Sequence, residues 1–114
     1  MPTDGRFEAF ATKGREARAT GDLLGAVSLF HKARTFAVEQ GDDGDEVLSV
    51  LIQEAMCATD AGLFDQAGAA LDEFDRLTGP TPAAWAIAQS RLARAAVLDA
   101  RAREANESRT KEEA

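Results

Sequence analysis

The chain has 114 residues, enough for one domain that buries roughly two thirds of the surface exposed by its unfolded form. Apolar residues make up 45% and charged residues 29%, so a core can form, and 13 basic against 20 acidic side chains leave a formal charge of −7. Such a surface repels phosphate backbones and anionic headgroups, which argues against nucleic acid and membrane as partners.

Abundant alanine, no tyrosine and only three prolines suit closely packed helices better than a sheet, so the expected class is all-α. The first residues, Met1 to Arg6, lack the apolar stretch of a signal peptide, and nowhere do about eighteen apolar residues run together. Cys57 is the single cysteine, set in the apolar run Leu51 to Ala58, so an intrachain disulfide is impossible and a buried thiol is expected. These features place the protein in the cytoplasm.

Five helices are predicted. The first, about Arg6 to Thr20, presents Phe7, Phe10, Ala11, Gly14 and Ala17 at helical spacing and stops at Gly21. Asp22 is placed to cap the second, about Leu23 to Gln40, whose stripe is Val27, Phe30, Ala33 and Ala37. After the loop Gly41 to Gly44, the third begins near Asp45, with acidic residues at the positive end of its dipole. It carries Leu48, Leu51, Ile52, Ala55, Met56 and Ala58 to about Ala61. The fourth, about Phe64 to Leu77, turns Ala67, Ala70, Leu71 and Phe74 inward and Asp65, Asp72, Glu73 and Asp75 outward. Thr81-Pro82 reads as the start of the fifth, from Pro82 to about Ala105, with Trp85, Ala88, Leu92 and Ala96 inward. Its arginines, Arg91, Arg94, Arg101 and Arg103, then need water or acidic partners. Residues 1–105 are expected to form the domain, and 106–114 a polar tail that frays.

An internal repeat organises these helices. Gly14, Gly21-Asp22, Ala26, Phe30 and Ala33 recur in kind as Ala55, Gly62-Leu63, Ala67, Leu71 and Phe74, with 41 residues between Gly21 and Gly62. The small residues Gly14, Ala26 and Ala33 let two helices approach closely, and Phe10 and Phe30 fill the space around that contact. At these positions the sequence resembles the tetratricopeptide repeat. Phe10 stands at its large aromatic position, Gly14 at its small position, Gly21-Asp22 at its turn, and Ala26, Phe30 and Ala33 along its second helix. The second unit departs at Leu63 and Phe74, and its spacing exceeds the usual 34 residues. The third has only a first helix, with Trp85 at the aromatic position and Gln89 where a small residue is usual. The resemblance implies an α-solenoid of antiparallel helix pairs, about two and a half tetratricopeptide-like repeats, with the fifth helix capping the stack.

It also implies a concave groove lined by the first helix of each pair. Its residues are Glu8, Ala11, Arg15 and Arg18; Ser49, Ile52, Met56 and Thr59; and Ala83, Ala86, Ser90 and Arg94. Arg15, Arg18 and Arg94 could grip a carboxylate or acidic peptide over the soft floor of Ile52 and Met56, or be ordinary solvated helix residues. The carboxylate-clamp pattern for chaperone tails is missing.

His31 has no second histidine or cysteine to help it hold a metal and reads as a surface or boundary residue, and Cys57 has no histidine on its helix face and reads as core. The acidic run Asp42, Asp43, Asp45 and Glu46 lacks the ligand spacing of a calcium loop and reads as a loop and helix start. No phosphate loop, nucleophile elbow or carboxylate pair appears. The expectation is a non-enzymatic scaffold or adaptor, without cofactor or metal, that holds a segment of another protein in its groove. Two rivals stand beside it: a subunit that self-associates as a homo-oligomer through the fifth helix and the second repeat, with Trp85, Leu92 and Leu98 as the buried seam, and a small-molecule or peptide sensor.

Overall fold

Glycine punctuation divides the chain into five helices: α1 Arg6–Ala19, α2 Leu23–Glu39, α3 Asp45–Asp60, α4 Phe64–Thr78 and α5 Ala84–Glu113. They are the only regular structure among residues 5–113, which this computed structural model describes. Met1 to Asp4, most of the segment over which a signal peptide is not expected, and Ala114 lie outside the described residues.

Three of the four connections start in the same way. Gly21, Gly41 and Gly62 take left-handed φ values of 86°, 74° and 79°, which cost glycine no Cβ clash. At each, the glycine N–H reaches back to the third carbonyl before it and the next residue's N–H to the fifth, as in Asp22 to Ala17 and Leu63 to Ala58, both at 2.8 Å. The recurring Gly21 and Gly62 therefore have identical roles in the backbone. Asp22 caps α2 as expected, its Oδ1 accepting from the Gly25 N–H at 2.9 Å. Leu63 cannot do so, and α4 starts without a side-chain cap.

Each helix packs on the next in the chain, and α5 packs on both α3 and α4. The stripes expected of α2 and α4 are the observed ones, Val27, Phe30, Ala33 and Ala37, then Ala67, Ala70, Leu71 and Phe74; of that expected of α1, Phe7, Ala11 and Gly14 are buried, with Phe10 and Ala17 half-buried at the edge of the core. A Cβ on Gly14 would stand 2.7 Å from Phe30 Cε1, so α1 meets α2 at a glycine because no larger residue fits under that ring. Full burial of Phe30 contributes about 1.5–3 kcal/mol. Cys57 is buried as expected, and burial pushes its thiol pKa up against the opposing pull of Arg18.

The fifth helix departs from expectation in three ways. It begins at Ala84, and the Ala83 carbonyl, rather than Thr81, opens its hydrogen bonding. Pro80 and Pro82 bias the residues before them toward extended backbone, which delays the helix. It also continues through residues 106–113, which nothing interrupts because the segment holds no glycine or proline. Its orientation differs as well. Ala86, Ser90, Ala93 and Val97 are buried, whereas Trp85, Ala88, Leu92 and Ala96 face out, with Trp85 49% and Leu92 69% exposed. With alanine on every side of the helix, packing on α3 and α4 chose the face. The 30-residue helix stretches the molecule to 59 × 34 × 19 Å.

Candidate functional site

The residues expected to line one groove fall into three groups. Ser49, Ile52 and Met56 share the outward stripe of α3; Ser49 and Met56 are exposed and Ile52 half-buried. Glu8, Arg15 and Arg18 lie exposed on α1, and Arg15 and Arg18 hold no ion pair among the described residues. The remaining groove residues turn elsewhere. Thr59 is buried and its hydroxyl donates to the Ala55 carbonyl at 2.7 Å, while Ala11 and Ala86 belong to the core.

Ser90 and Arg94 face α4. The Ser90 hydroxyl donates to Asp75 Oδ1 at 2.8 Å, and Arg94 Nη2 donates to Asp75 Oδ2 at 2.6 Å and to Asp72 Oδ1 at 3.0 Å. The hydrogen bond to Asp75, with a smaller contribution from that to Asp72, raises the Arg94 pKa above that of an ordinary arginine. Arg94 is therefore a strut between helices, because the rotation of α5 carries it away from α3.

That rotation brings a different pair of residues to the groove. Trp85 and Gln89 meet Leu48, Ser49, Ile52 and Phe74 around a cleft of about 330 Å³, with Asp45 at its end. Trp85 stands edge-on to Phe74, ring centroids 6.4 Å apart and planes at 81°, so one side of the indole is anchored and the other is open to solvent. Leu48, Trp85 and Gln89 were not among the residues expected here. The aromatic position assigned to Trp85 was the available signal, but it reads equally as a core contact.

The three residues expected to form a self-association seam do not share a face. At about 100° per residue, Leu98 lies about 120° around α5 from Leu92. Trp85 lines the cleft beside α3, whereas Leu98 borders α4.

The remaining polar contacts are structural in geometry. His31 Nδ1 is 3.5 Å from Glu54 Oε2, a carboxylate held by Arg34. Asp42 accepts from the Gly44 N–H at 3.0 Å and so shapes its own loop. Among the described residues no three His, Cys, Asp or Glu side chains gather to hold a metal, and no helix is long and apolar enough to cross a membrane. Comparison of the chain with family models, curated proteins and solved structures gives no match.

Proposed function

We propose that this protein is a non-enzymatic binding module of tetratricopeptide-like helix pairs, acting in the cytoplasm, that holds a peptide segment of a partner protein against the α3–α5 cleft. The observation that carries this reading is the cleft, an apolar trough on the surface with Leu48, Ile52 and Phe74 as floor and a half-open indole as wall. A tryptophan anchored on one side offers a large contact area at small entropic cost, as binding surfaces commonly do. The exposed Met56, one turn beyond Ile52, extends the apolar strip with a side chain that adapts to its ligand. The repeat reading draws support from the two equal three-residue connections, 20–22 and 61–63, which join α1 to α2 and α3 to α4, against the longer connection 40–44 between the units.

The test uses displayed random peptides selected on the intact chain, followed by titration with Trp85, the single tryptophan, as reporter. Selected peptides should shift Trp85 emission to shorter wavelength, and Ile52→Glu should abolish the shift while leaving the helical circular dichroism intact. If no peptide is selected, or if binding is indifferent to Ile52→Glu, the cleft is not the binding surface.

A further inference from the structure

The opposite side of α5 carries a second groove, of about 440 Å³, whose floor is Phe64, Gly68, Ala69, Leu71 and Val97 and whose lip is Leu98. On α2, Leu24, Val27, Ser28 and His31 share a crevice with Leu63 and Gln66 at the start of α4. Forty-one residues further on, the same positions of α4 are Asp65, Gly68, Ala69 and Asp72, and all four line the open groove. The α2 stripe is largely exposed, Leu24 at 63%, because α2 does not pack on α4; on α4 the same stripe has α5 packed along one side and forms a groove with it.

Two features make this groove complementary to itself. Arg101 reaches Asp65 at 3.5 Å and Arg94 reaches Asp72 at 3.0 Å, pairs that run in opposite order along the two helices, so α4 and α5 lie antiparallel there. Leu98 stands three residues before Arg101, and Gly68 three residues after Asp65, so the two are level across the groove. Leu98 is a knob, 67% exposed, while a Cβ on Gly68 would meet nothing within 4 Å. The edges also differ in charge: α4 contributes Asp65 and Asp72, and α5 contributes Arg91, Arg94 and Arg101.

We propose that this groove is occupied by a second copy of the chain. A two-fold axis along the groove sets each acidic α4 edge over the partner's basic α5 edge. It also lowers each Leu98 into the partner's gap at Gly68 and Ala69. Only a closed, self-complementary contact of this kind satisfies both copies at once. The inference does not rest on the α3–α5 cleft, which lies on the other side of α5 and remains free in such a dimer.

The experiment is the solution mass of the full chain by sedimentation equilibrium over a concentration series, for wild type, Leu98→Glu, Gly68→Gln and Leu92→Glu. All three substitutions fall on outward positions of a helix, and circular dichroism verifies that each variant is folded. The wild type should approach twice the monomer mass. Leu98→Glu and Gly68→Gln should each raise the dissociation constant about tenfold or more, as loss of an interface anchor does, and Leu92→Glu should leave it unchanged. A wild type that remains monomeric throughout overturns the proposal, whatever else docks in the groove. So does a dimer that tolerates Leu98→Glu, or one that Leu92→Glu dissolves.

Discussion

Arg34 on α2 and Glu54 on α3 join the two units of the repeat: Arg34 Nε donates to Glu54 Oε1 at 2.9 Å, and the carboxylate is completely buried. The position 41 residues after Arg34 is Asp75, which binds Arg94 on α5. The joint between one unit and the next is thus built twice with the charges exchanged, once buried and once at the surface.

Burial decides what each joint contributes. Arg34→Met leaves the buried carboxylate with only the exposed His31 beside it and should cost up to about 3–5 kcal/mol, whereas Arg34→Met with Glu54→Leu should be close to neutral. Arg94→Met breaks a solvated joint and should cost about 1 kcal/mol or less. Urea unfolding of the three variants checks this, and equal losses for Arg34→Met and Arg94→Met would contradict it.

Glycine-to-alanine substitution should have opposite signs at two helical positions. At Gly14 the new methyl group meets the Phe30 ring, and the overpacking of about 1–3 kcal/mol outweighs the better helix propensity of alanine. At Gly68 the methyl group enters open space, and about 0.5–1 kcal/mol of stabilisation is expected. Thermal melts at a dilution where the chain is monomeric give both values.

Stability should decline in alkali because of Cys57. Its pKa is raised in the folded state, so its contribution is complete below the unfolded value of about 8.5 and is lost as pH rises through the folded value. Cys57→Ala should remove that part of the decline. The same burial shields the thiol, and a disulfide reagent should label it at neutral pH only as fast as the chain opens; immediate labelling of the native protein would refute the reading.

In acid the sign is reversed at Glu73. The hydrogen bond from Arg76 holds this carboxyl below its ordinary pKa, so its contribution is present above about pH 4.3 and disappears as pH falls through the folded value. The pair is a surface one, three residues apart on α4, and salt screens it. Glu73→Gln should flatten the acid limb of a stability-against-pH curve at low salt and leave it unchanged at high salt.

The sequence by itself determined the all-helical class, the bounds of α1 to α4 and the start of α5 to within about two residues, and the inward faces of α1, α2 and α4. Those elements carry phenylalanine, valine and leucine at helical spacing and are separated by glycines that must adopt positive φ, so local chemistry and pattern agree. Tertiary structure decided the rest. The outward side of α5 is rich in alanine with single large residues on several sides, so its pattern fits more than one rotation, and the contacts of Ser90 and Arg94 with Asp72 and Asp75 accompany the one adopted. Both surfaces proposed for binding depend on that rotation, which puts Trp85 beside Ile52 and Leu98 level with Gly68. The buried Glu54 was equally beyond sequence reasoning: a carboxylate in a helix looks solvated until a partner such as Arg34, twenty residues away, is folded against it.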